Sequence, residues 1–293
     1  IETPAGGGVL SINVLDSTGS GVSGASVRVR NPSESVDFTA SADASGNVTS
    51  VGAPAGSQNY ELTVSKSGYY GAQTYAPTAT FTPVDIHASV VDMALNQATI
   101  VMDQYADIEI RSRDPFGADV GGVDMDIEGG RLFGTDTALS SPEMYSYSDS
   151  ITTDGSGEES IADQSYGTYT VSGVSKSGFT FCKLFPDGPA RDKFIASPGA
   201  TNTVTAIMLD DAVSSLWVKV NQQASPTNPV SGASVHLTES ISGYDATVTT
   251  DAFGYAFFPT ALPALVAGTY DLEVSAPGFA TETGTVAVSG SAL

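Results

Sequence analysis

VSGASVRV (Val22–Val29) and VSGASVHL (Val230–Leu237) are nearly the same eight-residue phrase, met twice in a chain of 293 residues. In both, Ala, Val and Leu alternate with Ser, Arg or His, the period-2 pattern of a strand with one buried face. A looser copy, VGGVDMDI (Val120–Ile127), lies between them. Upstream of each copy is another alternating stretch: Leu10, Ile12 and Val14; Ile108 and Ile110; Leu216, Val218 and Val220. Downstream come a turn cluster (Asp43–Gly46, Thr153–Gly157, Thr250–Gly254) and a third strand (Tyr60, Leu62 and Val64; Tyr169 and Val171; Tyr270, Leu272 and Val274). Each third strand ends on Gly-aromatic, at Gly68-Tyr69, Gly178-Phe179 and Gly278-Phe279. Gly24 to Gly46 and Gly232 to Gly254 both span 22 residues, whereas Gly122 to Gly157 spans 35, which locates an insertion in the middle copy.

Short strands separated by Gly, Asp and Thr turns predict an all-β chain built from three tandem antiparallel β-sandwiches. The expected division is a linker over residues 1–8, a first sandwich over 9–104, a second over 105–211 with the insertion near 131–148, and a third over 212–293. Ala98–Asp103, Val204–Leu209 and Thr283–Val288 are the expected closing strands, and Ser89–Gln97 is the single helix candidate, with a loop as its equal alternative. The connections Asp103–Ala106 and Asp210–Ser215 are short and free of Gly. They predict little independent tumbling and an elongated rod of three beads.

A formal net charge of −22 opposes binding to nucleic acid or anionic lipid and favours solubility. Cys182 is the one cysteine, so no intrachain disulfide can form and a buried thiol is expected. No stretch reaches the roughly 18 apolar residues of a membrane span, so no direct membrane insertion is expected. The chain starts at Ile1, with no signal peptide in view, which is read as a processed or partial product.

The order G-x-x-V-x-G-A-x-V, T-D-x-x-G and Y-x-(L/V)-x-V ending in Gly-aromatic resembles the carboxypeptidase regulatory-like domain, related to CnaB-type and transthyretin-like immunoglobulin-like sandwiches. The resemblance covers Val9–Asp103 and Ser215–Val288, with Gly122-Val123 replacing Gly-Ala in the middle copy. The run IETPAGGGVLSINVLD and the phrase GRLFGTD are similar to bacterial surface proteins of the prepilin-type, pilus-associated kind. The resemblance implies an extracellular structural or adhesive segment of a bacterial cell surface, meeting a protein, a glycan or other pilus and surface subunits. Alternatives are accessory or carbohydrate-binding β-domains of a secreted hydrolase, or a subunit polymerising by β-strand addition.

No catalytic residues are assigned. His87 and His236 are the only histidines, and no G-x-S-x-G, phosphate-binding Gly loop or Cys-x-x-Cys occurs. No cofactor is expected, Ca²⁺ apart: Asp124, Asp126 and Glu128 share one strand face, offering three hard oxygen ligands, with a solvated acidic face as the plainer reading. Asp103 with Asp107, or Asp210 with Asp211, are further Ca²⁺ candidates at the connections. Some CnaB-type domains carry an isopeptide bond, and Lys219 sits where such a lysine would stand, with no Asn or Asp in Thr283–Val288 to meet it. Tyr145 and Tyr147 in the insertion are candidate contacts for a sugar or protein partner.

Overall fold

The computed structural model describes residues 7–77, 80–139, 142–259 and 264–289. Residues 1–6 of the expected linker lie outside the described residues, and Gly8 already belongs to a strand. The first repeat contributes β1 (Gly8–Leu15), β2 (Ser26–Asn31), β3 (Val36–Ser41), β4 (Asn47–Ala53), β5 (Gly56–Ser65), β6 (Ala72–Gln73), β7 (Thr82–Pro83), β8 (Ala88–Val90) and β9 (Leu95–Val101). The second has β10 (Ala106–Arg113), β11 (Asp124–Thr135), β12 (Glu143–Thr152), β13 (Glu158–Gln164), β14 (Gly167–Ser175), β15 (Phe179–Phe185), β16 (Lys193–Ala196) and β17 (Thr201–Asp210). The third has β18 (Leu216–Lys219), β19 (Asn221–Gln222), β20 (Ser225–Pro229), β21 (Ser234–Glu239), β22 (Tyr244–Thr249), β23 (Tyr255–Phe258), β24 (Gly268–Ser275) and β25 (Glu282–Val288).

Two sheets enclose each repeat's core. In the first, β4-β1-β9 stands against β3-β2-β5-β6; in the second, β13-β10-β17-β15 against β12-β11-β14-β16; in the third, β18-β23 against β22-β21-β24-β25. Most of the inward positions read from the alternation are buried, with Val218, Val220, Leu272 and Val274 of the third repeat partly so. Leu10, Ile12, Val14 and Val27 are at 0% exposure, and Val235, Leu237 and Tyr270 match them in the third core. The three cores draw on residues 10–102, 106–208 and 216–288.

Repeated residues recur because repeated bonds need them. Asp43, Asp154 and Asp251 each accept two main-chain N–H groups with Oδ1, from Ser45 and Asn47, Ser156 and Glu158, Phe253 and Tyr255, all at 2.8–2.9 Å. Those bonds hold the Asp43 and Asp154 carboxyls below the usual carboxylate range. The turn glycines Gly46, Gly157 and Gly254 have φ of 80°, 73° and 78°, and their carbonyls accept from Val14, Ser112 and Val220 of the opening strands. A Cβ at any of the three would run into that strand's backbone, so only Gly serves. Tyr60, Tyr169 and Tyr270 are fully buried, and their hydroxyls donate to the carbonyls of Pro54, Ser165 and Val266 at 2.6–3.0 Å. Each pins the approach to the third strand, as in the tyrosine corner of immunoglobulin-like sandwiches.

Three expectations change. Ser89–Gln97 is not helical: β8 and the start of β9 occupy it. Its short apolar runs suit a strand as well as a helix, and pairing with β1 decides. The sandwiches are mostly antiparallel, but β1 pairs β9, and β10 pairs β17, in parallel register. Thr283–Val288 falls within β25, which pairs β24 antiparallel with Gly268 opposite Val288, where the second repeat has β16 with Gly167 opposite Ala196. It is therefore the counterpart of β16, not of the closing strands β9 and β17.

Candidate functional site

Among the described residues, the sites built by contacts between repeats are the two seams and the insertion. At the first seam, Asp103 is buried and its carboxylate accepts the Ser17 N–H and hydroxyl, while its carbonyl accepts from Tyr70. The Tyr105 N–H donates to the Gly68 carbonyl, and the Gly199 N–H to the Tyr105 carbonyl, so the connecting residues are held from both repeats.

The insertion completes this seam. Residues 131–135 prolong β11, and Gly134 and Thr135 pair with Pro83 and Thr82 of β7, while the Val84 N–H donates to the Phe133 carbonyl. A strand of the first repeat thus joins a sheet of the second. Arg131 reaches back: its guanidinium donates at 2.7 Å to the Val101 carbonyl and at 2.7 Å to Asp85 Oδ2. Phe133 stacks on Tyr75, and Phe81 meets both edge-on, at centroid separations of 5.3–6.1 Å. The sequence signal was present in the alternation Arg131-Leu132-Phe133 after Gly129-Gly130.

The second seam is built by side chains. Lys183 Nζ donates to Asp187 Oδ1 at 2.8 Å and to Asp251 Oδ2 at 2.6 Å, and Asp251 also anchors the third repeat's turn. Burial works against the lysine's charge, but the two carboxylates outweigh it and its pKa is raised. Arg191 lies over the Trp217 ring at 5.3 Å, and Trp217 packs on Tyr255. Cys182 is buried beside them, which pushes its thiol up to about 12 and leaves it unreactive at neutral pH.

The other predicted residues are dispersed. Asp124 and Asp126 face solvent and accept hydrogen bonds from Thr152 and Ser150 across the β11–β12 ladder, with Glu128 opposite Ser148. At the connections, Asp107 accepts from the Asp163 N–H, Asp210 from the Ala212 N–H, and Asp211 from the Thr180 hydroxyl. Among the described residues, no three His, Cys, Asp or Glu side chains converge to hold a metal ion. Lys219 is exposed, its ammonium 4.9 Å from the Tyr255 ring centroid. Tyr147 is half-buried and packs against Tyr169 and the second core. Tyr145 donates its hydroxyl to Glu143 at 2.6 Å, and that bond to a carboxylate raises its pKa to about 12. The two tyrosines therefore have different surroundings. No described helix is long and apolar enough to cross a membrane.

The model of the carboxypeptidase regulatory-like domain matches residues 9–96 and 215–292, more than half of the chain. The chain belongs to that family. This carboxypeptidase regulatory-like chain also has the family's landmarks in its middle copy, with Asp154, Gly157 and Tyr169 bonded as in the matched segments. A search of curated protein sequences returns no match. Among solved structures, similarity is found to the TIE protein of Bacillus anthracis, at 14% identity and a TM-score of 0.28, over 97% of this chain and 48% of that one. The chain thus spans about half the length of that protein. A streptococcal ancillary pilin is similar at 12% identity and a TM-score of 0.28, over 95% of both chains. The pilus adhesin SpaC of Lactobacillus rhamnosus GG is similar at 14% identity and a TM-score of 0.27, over 94% of this chain and 37% of that one.

Proposed function

We propose that this chain is a non-enzymatic extracellular segment of a bacterial surface protein, a stalk that carries loops away from the cell. In this reading residues 9–104, 105–211 and 212–293 are three domains in series. The observation that carries it is the first seam, where β7 of one repeat pairs with β11 of the next. Backbone pairing across a connection of few residues fixes one domain against another, which a spacer needs and a flexible tether does not supply. The charge of −22 suits an exposed, self-repelling molecule. Partners would be a protein or glycan at a cell surface, or neighbouring surface subunits, met by surfaces such as the outer part of the insertion, where Tyr145 stands on β12.

Small-angle scattering tests the extended arrangement. A single compact body of this length has a radius of gyration of about 19 Å. The stalk reading expects a value well above that, with the cross-section of one sandwich. A value near the compact figure would overturn it.

A further inference from the structure

The first seam leaves an open groove of about 380 Å³ between the two repeats that it joins. One wall is the outer face of the first repeat, where Thr63 and Ser65 alternate with buried Leu62 and Val64 of β5, and Gln73 of β6 stands opposite Thr63. The other wall is the insertion, with Arg131, Phe133 and Ser146. Tyr70 and Tyr75, on either side of β6, complete the lining. Small-molecule sites have volumes of about 300–1,000 Å³, and the groove falls in that range.

Its polar groups divide into those already used and those left over. The Arg131 guanidinium is spent on the Val101 carbonyl and Asp85, and the Ser146 hydroxyl on the Arg131 N–H and Ser165. The hydroxyls of Thr63, Ser65, Tyr70 and Tyr75, and the Gln73 carboxamide, make no side-chain hydrogen bond among the described residues. Thr63, Ser65 and Gln73 are exposed, and the rings of Tyr70, Tyr75 and Phe133 are half-buried. The groove therefore offers ring surface beside groups that both donate and accept, with its one cation already paired.

The third repeat shows that the fold does not require this set. Glu273 stands opposite Thr283 and Val274 opposite Glu282, the register in which Thr63 stands opposite Gln73 and Val64 opposite Ala72. Counted along the same register, Tyr70 and Tyr75 correspond to Ala280 and Thr285. Two tyrosines and an uncharged pair occur in the first repeat where the third has small residues and a glutamate. Stacking of Tyr75 on Phe133 accounts for one of the rings, and the free hydroxyls and Gln73 remain.

We infer that this groove binds a neutral oligosaccharide. A sugar ring presents C–H faces to aromatic side chains and a rim of hydroxyls to donors and acceptors, and the two walls supply both. An acidic glycan would need a free cation, and the chain's charge of −22 opposes it further. A stable protein interface buries about 1,200–2,000 Å², a broad surface and not a groove of small-molecule size. The inference rests on the surface-protein reading above and gives its partner a place and a chemical class.

The test is an array of neutral and acidic oligosaccharides probed with the 293-residue chain, then titration of the best neutral binder by calorimetry and amide NMR. Neutral glycans should bind, with amide shifts centred on Thr63, Ser65 and Gln73. Tyr70→Ala should weaken binding about tenfold and Gln73→Ala about fivefold. Tyr70 also meets Tyr105 edge-on at the seam, so a second variant keeps the test independent of folding. Thr63→Glu with Gln73→Thr installs the residues that the third repeat carries at this register, and should abolish binding while the melting temperature holds. Tyr145→Ala, on the outer insertion, should change neither. An array with no neutral binder, binding to acidic glycans alone, or binding that survives the double variant would overturn the inference. So would a concentration-dependent dimer that Gln73→Ala abolishes, since a second copy would then fill the groove. An extended scattering curve with no neutral glycan bound would overturn this site and leave the stalk reading standing.

Discussion

Between the first and second repeats the chain is tied by main-chain hydrogen bonds, the β7–β11 ladder and the bonds of Tyr105, with Arg131 set into them. Between the second and third, the connection keeps one such main-chain bond, from the Asp211 N–H to the Gly178 carbonyl, but no strand ladder is described, and the contacts across the repeats run through side chains: Lys183 to Asp251, the Ala252 N–H to Asp187, and Arg191 over Trp217. Main-chain pairing carries no net charge, so salt and pH barely touch the first seam's ladder, while the ion pairs, Arg131 to Asp85 there and Lys183 to Asp251 at the second, answer to both. Two connections in one chain can thus both be short and differ in what loosens them.

Arg131→Ala should have the largest effect. It removes a charged donor from the Val101 carbonyl and leaves Asp85 without its partner, each bond to a charged group being worth about 1.5–3 kcal/mol. In urea the first two repeats should unfold as one transition in the parent and as two in the variant, with about 2–3 kcal/mol lost. An unchanged single transition would place the strength of that seam in the ladder alone.

Lys183→Met should weaken the second seam by about 1 kcal/mol, and 1 M salt should loosen the parent's second seam more than its first, where the β7–β11 ladder remains when the Arg131–Asp85 pair is screened. The sign with pH follows from the raised lysine pKa. Its contribution is fully present below the unfolded-state value and is lost as pH rises through the folded-state one. Melting of the third repeat should therefore hold steady from pH 7 to about 10 and fall above it in the parent, but not in Lys183→Met. Arg191→Ala is expected to cost less, about 0.5–1 kcal/mol, and to shift the emission of Trp217, the sole tryptophan. Millimolar calcium should leave the melting temperature unchanged, because Asp124 and Asp126 already accept hydrogen bonds from the neighbouring strand.

The seams also show what a reader of the sequence can see. Alternation at Leu10-Ile12-Val14 and Ala233-Val235-Leu237 is a local property, so the strands and their inward faces were readable, as were the Asp and Gly of each turn. Partnership across sequence distance is not local. Arg131–Ser148 looked like an excursion because it broke the spacing, and only the pairing of Gly134 with Pro83 shows that its first residues belong to a joint. Thr283–Val288 alternates as any half-buried strand does, and its position as an edge beside β24 depends on a register that alternation leaves open. The helix suggested at Ser89–Gln97 failed for the same reason, since its partner β1 lies about 80 residues upstream.

The most direct test of a stalk with fixed joints is the distance distribution between spin labels on Ser45→Cys and Ser240→Cys, two exposed positions in the first and third repeats. The native Cys182 is buried and its thiol protonated, so it should stay unlabelled. The account predicts one narrow distance peak at neutral pH that broadens when Lys183 is replaced by Met. A broad distribution in the unmodified chain, or one that ignores both seams, would contradict it.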